Sequence, residues 1–238
     1  MTSPAEPVPS RIGLPARAEI WWLDLRAARL RGPDLATLDR SEQERAAGLL
    51  READRDRFAA AHLLARRVLS GYTGTPPGEL AFRREACPRC GGPHGRPVLR
   101  DGGPWFSLSR SGEVAVLAVA PGPVGVDIQR DSGPCPCPLG PQLRPGWWPA
   151  ASRLPEAARH AILLRQWVRA EAAGKAIGTG IIHGPARSPE CRIRMLACPR
   201  GYVAAVATPR RPGSLGTGAA RRRRPAGGPA RLADGGAL

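Results

Sequence analysis

The sequence lacks asparagine and contains a single lysine, Lys175, so nearly all of its 36 cationic side chains are arginines. This bias is compositional, and the arginine content alone therefore indicates no particular function. Aromatic residues are scarce at 5%, while glycine and proline reach 29 and 27 residues, which indicates a globular body with poorly structured segments. No apolar run approaches the roughly 18 residues that a membrane-spanning helix needs, which argues against a helical membrane protein. The first residues lack the apolar core of an export signal, so we expect a cytoplasmic protein with mostly reduced cysteines.

The net charge of +16 is distributed unevenly along the chain. Seven arginines and one aspartate lie in the segment 209–238, whose glycine, alanine, arginine and proline composition predicts a disordered basic tail. The rest of the chain is also positively charged and is expected to attract anions such as phosphates or acidic proteins. The four-arginine run 221–224 has no aromatic residues among its cations for base stacking, so we expect no nucleic-acid partner.

The strand pattern of the sequence is that of short antiparallel sheets. Its strongest signal is the segment 105–129, where an alternating stretch, a Ser-Gly turn, an apolar run and a Gly/Pro turn predict an antiparallel meander. Further strands are predicted at 18–25, 79–83, 191–198 and 201–208, and the last two are expected to form a hairpin.

Two long helices are predicted from apolar residues that recur at helical spacing. The first covers 41–74, with Ser41 as the N-cap of a capping box. The second covers 155–178, with Pro155 in its first turn and Gly178 at its end. The order of helix, meander, helix and hairpin predicts an α+β protein with two similar halves.

This order also predicts the boundaries of the two halves. A flexible N-terminus at 1–17 is followed by an N-terminal half at 18–123 and a C-terminal half at 124–208. The segment 131–155 interrupts the C-terminal half, because it contains seven prolines and no periodicity, and we predict an irregular loop there.

Asp127, Glu171 and Lys175 are the candidates for chemistry. Asp127 lies near the end of a predicted strand, whereas Trp167, Glu171 and Lys175 recur every four residues and share one stripe of the second helix. Two carboxylates from separate elements can bind Mg²⁺, which commonly takes few protein ligands together with substrate phosphate oxygens. A lysine one turn further can contact the same phosphates as a point charge. The alternative is an exposed Glu–Lys pair worth only about 0.3–0.5 kcal/mol.

Two upstream segments offer contacts for phosphate groups. The turn Gly95-Arg96-Pro97 projects one cation from a fixed backbone. Ser109, Arg110 and Ser111 supply two hydroxyls and a guanidinium at a strand end. Taken singly, each segment is more often an ordinary turn or a solvated charge.

In their order and spacing, four segments resemble the motifs of the 4′-phosphopantetheinyl transferases of the surfactin-synthetase-activating type. They are GRP at 95–97, FSLSRSG at 106–112, GVDIQ at 125–129 and WVRAEAAGKAIG at 167–178. The resemblance implies two pseudo-symmetric α+β halves, each a helix packed on a small antiparallel sheet, with coenzyme A bound between them. It also implies Mg²⁺-dependent transfer of the phosphopantetheine arm of coenzyme A to a serine of an apo acyl or peptidyl carrier protein, with release of 3′,5′-ADP.

The resemblance further implies roles for individual residues. Asp127, Gln129 and Glu171 occupy the positions of metal ligands. Glu171 is also expected to act as the general base, and Lys175 to stabilise charge on the phosphates. Contacts to coenzyme A are expected from Arg57, Arg96, Pro97, Ser109, Arg110 and Lys175. Enzymes of this type usually act as monomers, and we expect a monomer here.

The chain departs from the family pattern in several places. Gln129 stands where a second carboxylate is usual, Arg110 replaces a histidine, and Ala170 replaces a lysine. An amide oxygen can ligate Mg²⁺ but adds no negative charge. The segment 131–155 replaces a helical, acid-containing stretch that belongs to the carrier-docking region of the family. We hypothesise that 131–155 and 209–238 are degenerating or are translated from a shifted reading frame; the idea fails if neither other frame of the gene restores a helical pattern.

Cys87 and Cys90 have the C-x₂-C spacing of a metal site, and His94 follows closely. A structural zinc site needs a fourth ligand, for which the irregular segment offers Cys135 and Cys137. Similar runs precede the G-R-P turn in relatives of the family resembled, so the alternative is a reduced turn with incidental thiols.

Two other functions are compatible with the sequence. One is a weakly active or inactive descendant of the family that still binds coenzyme A, which Gln129 and the segment 131–155 favour. It would show nucleotide binding without Mg²⁺-dependent turnover. The other is a basic zinc-ribbon protein that binds nucleic acid, which predicts stoichiometric zinc and salt-sensitive DNA binding. That reading leaves the pairing of the GVDIQ and WVRAEAAGK segments unexplained.

Overall fold

Helices alternate with short antiparallel strands in a computed structural model that describes residues 8–11, 18–26, 32–132, 143, 148–181 and 190–210. In chain order, the elements are β1 (Val8–Arg11), β2 (Glu19–Asp24), α1 (Gly32–Ala36), α2 (Arg40–Ala47), α3 (Glu52–Thr73), a 3₁₀ turn (Pro77–Glu79), β3 (Phe82–Arg84), β4 (Pro97–Leu99), β5 (Trp105–Ser111), β6 (Val114–Ala120), β7 (Gly125–Arg130), α4 (Trp148–Ala151), α5 (Glu156–Ile177), β8 (Cys191–Leu196) and β9 (Tyr202–Pro209).

Three antiparallel sheets form from the strands of the described residues. The first has the order β1-β2-β6-β5, the second is the hairpin β3-β4, and the third has the order β7-β9-β8. Together with the helices they confirm the predicted α+β class. The predicted strand at 18–25 corresponds to β2, and the predicted hairpin corresponds to β8 and β9. The strand predicted at 79–83 begins only at Phe82, because Glu79 belongs to the 3₁₀ turn Pro77–Glu79.

The four-stranded sheet and the sheet of β7, β9 and β8 pack face to face. Strand β6 has the sequence VAVLAVA, and all seven of its residues are buried. Both faces of the strand are therefore apolar, as expected for a strand that is covered on both sides. Val116 and Ala118 pack against Val126 of the other sheet, whereas Leu117 and Val119 pack on α3. Successive side chains of a strand point to opposite faces, and β6 thereby joins two cores.

Helix α5 covers the outer face of the sheet of β7, β9 and β8. Its alanines Ala172, Ala173 and Ala176 contact Ala205 and Ala207 of β9, and small side chains on both sides let the helix approach closely. The resulting layers are α3, the four-stranded sheet, the sheet of β7, β9 and β8, and α5. Both long helices have 22 residues, and no helix in the described part of the chain is apolar and long enough to cross a membrane.

The first predicted helix, 41–74, is instead two helices, α2 and α3. The N-cap is Asp39 rather than Ser41: the side chain of Asp39 accepts from the amide of Glu42, and the side chain of Glu42 accepts from the amide of Asp39. The same two carboxylates bind the guanidinium of Arg66, which is 0% exposed, at 2.9 and 2.7 Å. The capping box therefore begins two residues earlier, where its acids also meet a buried cation.

The predicted meander at 105–129 is only half correct. Strands β5 and β6 pair as expected, but β7 pairs with β9 in a different sheet. Strand β7 is held beside β5 by side chains instead of a backbone ladder, because every second residue of β5 from Ser107 is a serine. Amides of β7 donate to these hydroxyls: Val126 to Ser107 at 3.1 Å, Ile128 to Ser109 at 3.3 Å and Arg130 to Ser111 at 2.9 Å.

The predicted second helix is confirmed as α5. Pro155 stands at its N-cap, and Gly178 ends it in the left-handed conformation with φ of 85°, which glycine adopts without strain. The backbone amide of Gly178 donates to the carbonyl of Gly174. This ending fixes the last turn of the helix, which carries Lys175.

Other segments add detail to the predicted boundaries. Residues 8–11, inside the N-terminus expected to be flexible, form β1 and pair with β2. The short helix α4 lies within 131–155, where an irregular loop was predicted. The remainder of 1–17, the cysteines Cys135 and Cys137, and the tail beyond residue 210 lie outside the described residues.

Candidate active site

Strand β7 and helix α5 meet at Gly125. A Cβ atom at this position would lie 2.0 Å from the carbonyl oxygen of Ala172 and 2.5 Å from the amide nitrogen of Ala176. Backbone atoms cannot yield as flexible side chains do, so a residue with a side chain does not fit there. The glycine of the GVDIQ segment therefore lets the strand and the helix approach closely, and this approach brings their polar residues together.

Replacing Gly125 with alanine should separate β7 from α5. We expect the free energy of unfolding to fall by about 3 kcal/mol, the upper end of the usual cost of overpacking, because the clashing atoms belong to the backbone. Chemical unfolding measures the loss, and Gly122→Ala is the matched control because a Cβ at Gly122 meets nothing within 4 Å. Equal stability of the two variants would contradict this account of the contact.

Lys175 lies at the centre of the site that this approach creates. Its ammonium donates to Oδ1 of Asp127 at 2.7 Å, to Oγ of Ser109 at 3.2 Å and to the carbonyl oxygen of Val126 at 3.1 Å. An ammonium group has three protons, so each can be matched by one of these acceptors. A planar guanidinium presents its donors in a fixed fork and cannot converge on three acceptors around one point. This geometry gives a physical reason for the single lysine of the chain.

Asp127 is 2% exposed and depends on these partners. Besides the ammonium, Oδ1 of Asp127 accepts a hydrogen bond from the hydroxyl of Ser109 at 2.8 Å. The same hydroxyl accepts from the amide of Ile128, so Ser109 connects β5, β7 and α5 at one atom. A buried carboxylate with an ion pair and a hydrogen bond is held in a single orientation.

Glu171 lies one helical turn before Lys175 on the same face of α5. Burial raises the pKa of its carboxyl above the ordinary value of 4.5; the charge of Lys175 lowers it, and the charge of Asp127 raises it. These influences place all three predicted residues within electrostatic range of one another. A carboxylate with a raised pKa accepts a proton more readily than an ordinary glutamate, which suits it to a base.

Gln129 completes the polar group on β7. Its carboxamide nitrogen lies 3.4 Å from Oδ2 of Asp127, and its oxygen accepts from the hydroxyl of Ser111 at 3.4 Å. Both contacts are long, so the amide group is loosely held compared with Asp127.

Arg96 and Pro97 lie at the C-terminal end of α5 rather than beside the carboxylates. The guanidinium of Arg96 is buried: it donates to Oε2 of Glu85 at 2.7 Å and to the carbonyl oxygen of Ala176 at 2.6 Å, and it lies over the ring of Trp105. Arg96 thus caps the helix that carries the site, and Pro97 begins strand β4.

Arg57 and Arg110 form a separate cationic pair. Arg57 makes ion pairs with Asp54 and Glu113, and Arg110 lies over the ring of Phe58 with its guanidinium carbon 5.5 Å from the ring centroid. Burial lowers the pKa of Arg110; the nearby Asp54 raises it and Arg57 lowers it. Ser109 hydrogen-bonds to Asp127, whereas the next residue, Arg110, points to α3, because neighbouring residues of a strand face opposite ways.

A cavity of about 920 Å³ lies at the end of β7 opposite to Gly125. It is bordered by Trp22, Glu113, Arg130 and Tyr202, and Glu113 also pairs with Arg57. Its lining includes none of the predicted site residues, so the chemistry of the cluster, rather than the cavity, locates the candidate site.

Three contributors to the site were not predicted from the sequence. They are the close approach at Gly125, the carbonyl group of Val126, and the hydroxyl of Ser107 on β5. The alternation of serine in SLSRS was the available signal, because it predicts one polar face on an otherwise buried strand.

The described α+β fold thus brings two residues of one helix, Glu171 and Lys175, close to the strand carboxylate Asp127. The chain is similar to the 4′-phosphopantetheinyl transferase HetI of Nostoc sp., with 30% identity over 170 residues, which cover 68% of this chain and 69% of HetI. No protein-family model matches the chain. The chain belongs to the 4′-phosphopantetheinyl transferase family and is a transferase enzyme, as the four motifs predicted. Its assignment to the surfactin-synthetase-activating type stays a prediction.

Proposed function

We propose that this enzyme transfers the 4′-phosphopantetheine arm of coenzyme A to a serine hydroxyl of an apo acyl or peptidyl carrier protein in the cytoplasm. The reaction depends on Mg²⁺ and releases 3′,5′-ADP. The single observation that supports this most strongly is the convergence of Asp127, Glu171 and Lys175 on one point between β7 and α5.

The donor atoms of the site fit a hard cation. Asp127 and Glu171 offer carboxylate oxygens, and Gln129 offers an amide oxygen, which are the ligand types that Mg²⁺ prefers. Burial raises the pKa of Glu171, and the charge of Asp127 adds a smaller increase, so a cation bound beside the two carboxylates would favour the ionised form of Glu171. When bound, Mg²⁺ would neutralise charge on the phosphates of coenzyme A. To ligate it, the amide of Gln129 would turn its oxygen away from Ser111.

Glu171 acts as the general base in this proposal. It accepts the proton of the carrier serine, directly or through one water, while the serine oxygen forms a bond to the β-phosphorus of coenzyme A. The bond between this phosphorus and the bridging oxygen breaks, and 3′,5′-ADP leaves with the electron pair. The partly buried position of Glu171 keeps its pKa raised, so the carboxylate is a stronger base than an exposed glutamate.

Lys175 orients Asp127 and contributes positive charge at the same place. Its three protons are directed at acceptors of the chain, so a contact with substrate phosphate requires exchange of one of them. The acceptor most easily replaced is the hydroxyl of Ser109, at 3.2 Å the longest of the three contacts. The hydroxyl of Ser109 donates its only proton to Asp127, so a hydrogen bond from Ser109 to the phosphate would require that bond to be exchanged as well.

Arg57, Arg96, Pro97 and Arg110 are proposed to bind coenzyme A around this centre. Arg110 and Arg57 would attract its phosphates as fixed cations, although they lie on the α3 side of β5. Arg96 would support coenzyme A binding chiefly by holding the C-terminal end of α5 in place, because its guanidinium is buried against Glu85 and Ala176.

Release of 3′,5′-ADP tests this proposal. We expect release only when the native chain, coenzyme A, Mg²⁺ and an apo carrier protein are all present, and none after Mg²⁺ is chelated. Calorimetry of coenzyme A binding in the same samples separates the alternatives. Binding without release, from folded protein, would indicate a catalytically inactive descendant, and neither binding nor release would contradict the proposal.

A further inference from the structure

Three potential metal ligands meet in the loop between β3 and β4, outside the active site. The sulfur atoms of Cys87 and Cys90 and a ring nitrogen of His94 all lie within 4.8 Å of one another. Sγ of Cys90 lies 3.0 Å from Nε2 of His94. Within the described residues, no other group of three or more histidines, cysteines or acids converges this closely.

The backbone of the loop is shaped to produce this convergence. The amide of Cys87 donates to the carbonyl oxygen of Gly92, and the amide of Gly91 donates to the carbonyl oxygen of Cys87, both at 2.8 Å. Gly91 has a φ of 73°, which turns the chain back toward the first cysteine. A Cβ at Gly92 would lie 3.1 Å from the His94 ring and 3.3 Å from Sγ of Cys90. The two glycines therefore let the three side chains approach one another.

Cys87 is also surrounded by donors that suit a thiolate. The backbone amides of Arg89 and Cys90 donate hydrogen bonds to its sulfur, although the side chain is buried. Such donors stabilise a thiolate, which is the form of cysteine that ligates metals.

We propose that Cys87, Cys90 and His94 bind one Zn²⁺ ion, with a water molecule in the fourth position. Two sulfurs and one imidazole nitrogen are the ligand types of zinc rather than of a hard cation such as Mg²⁺. Cys90 is exposed, which leaves one side of the site open to solvent. None of these three ligands belongs to the group of Asp127, Gln129 and Glu171 that is proposed to bind Mg²⁺.

The zinc site braces the end of the helix that carries Glu171 and Lys175. Pro88, between the two cysteines, lies 3.6 Å from where a Cβ of Gly178 would stand, at the C-cap of α5. The same loop continues into Arg96, whose guanidinium donates to the carbonyl oxygen of Ala176 at 2.6 Å. The metal therefore fixes the loop that holds the last turn of α5.

Zinc content of the full-length chain tests the proposal. The protein is incubated with Zn²⁺ under reducing conditions, unbound metal is removed, and the metal is measured by mass spectrometry. We expect about one zinc per chain in the native protein and in Cys198→Ser, and less than about a tenth of that in Cys90→Ser and His94→Gln. Cys198→Ser is the matched control, because Cys198 lies in the β8–β9 turn and retains its donor function toward Tyr202 as a serine.

Replacement of zinc by Co²⁺ gives a second readout. Thiolate ligands produce charge-transfer absorption with Co²⁺, which we expect in the native chain and in Cys198→Ser but not in Cys90→Ser. Added Zn²⁺ should raise the unfolding midpoint of the same two proteins, because a ligand that binds the folded state stabilises it. Absence of zinc from the folded native chain, or unchanged zinc content in Cys90→Ser, would overturn the proposal.

Discussion

Glu171→Gln is expected to lower kcat by about 10²–10⁴-fold while the chain stays folded, because the amide cannot accept the proton of the carrier serine. The side chains have nearly the same size, so the packing of α5 should not change. The rate of carrier-protein modification at saturating coenzyme A measures the effect. Glu156→Gln, an exposed position in the first turn of the same helix, is the matched control and should retain native activity. A Glu171→Gln enzyme within a factor of two of native would contradict the assignment.

Glu171→Gln should raise the free energy of unfolding at neutral pH, although it lowers activity. In the folded chain the pKa of Glu171 is raised above 4.5, so the ionised form is destabilised relative to the unfolded chain. This cost is absent at low pH, where the group is protonated in both states. It develops as the pH rises from about the ordinary value through the raised one. With Mg²⁺ chelated, Glu171→Gln should therefore be more stable than the native chain at neutral pH.

Unfolding midpoints measured at acidic and neutral pH test this point. The advantage of Glu171→Gln should be present near pH 7 and should disappear below about pH 4, where an ordinary glutamate is protonated. A variant less stable than the native chain at neutral pH would mean that Glu171 stabilises the fold, and that its burial serves structure rather than chemistry.

Lys175→Met should destabilise the fold by about 3 kcal/mol, because it leaves the carboxylate of Asp127 buried without a cation. The estimate is at the low end of the usual range for a broken buried pair, since the side chain of Lys175 is 29% exposed. Methionine preserves the length and the apolar stem of lysine, so the loss of stability measures the contribution of the ammonium group. Urea unfolding with Mg²⁺ chelated measures it.

Two further variants make the result specific. Combining Lys175→Met with Asp127→Asn should cost less than the sum of the single changes, because no buried charge remains unpaired. Lys175→Arg should recover part of the stability but not the native activity, because its fork cannot meet the acceptors on Asp127, Ser109 and Val126 at once. A loss of stability below about 0.5 kcal/mol in Lys175→Met would indicate that Lys175 is exposed and does not stabilise Asp127.

Much of the fold could be predicted because local signals agree with the final packing. Helix α5 has a proline at its start, a glycine at its end and a regular apolar face between them, so its bounds were predicted within a residue or two. The capping box at Asp39 was missed because Ser41 gives an equally good local pattern. The choice is made by Arg66, far along the chain, whose buried guanidinium needs the carboxylates of Asp39 and Glu42.

The sheet assignment of β7 could not be predicted from its local pattern. Three consecutive strands with short turns usually form a meander, yet the edge of β5 carries serine hydroxyls toward β7 instead of a backbone ladder. The competing pairing with β9 involves residues about 80 positions away, which no local pattern encodes.

The candidate site was predictable as a set of residues but not as a geometry. Asp127, Glu171 and Lys175 were identified from motif spacing, and the structure brings them together. Spacing alone suggested that Lys175 faces substrate, whereas its protons are matched by acceptors on Ser109, Asp127 and Val126. That geometry depends on how closely β7 approaches α5 at Gly125, which is a tertiary contact.

Intact-mass spectrometry of an apo carrier protein tests the central claim most directly. An acyl and a peptidyl carrier protein are each incubated with the native chain, coenzyme A and Mg²⁺, with Glu171→Gln and Glu156→Gln alongside. We predict that at least one carrier gains the mass of a single phosphopantetheine group with the native chain and Glu156→Gln, and hardly any with Glu171→Gln. No gain on either carrier, from native protein that is folded and binds coenzyme A, would contradict the proposed transfer.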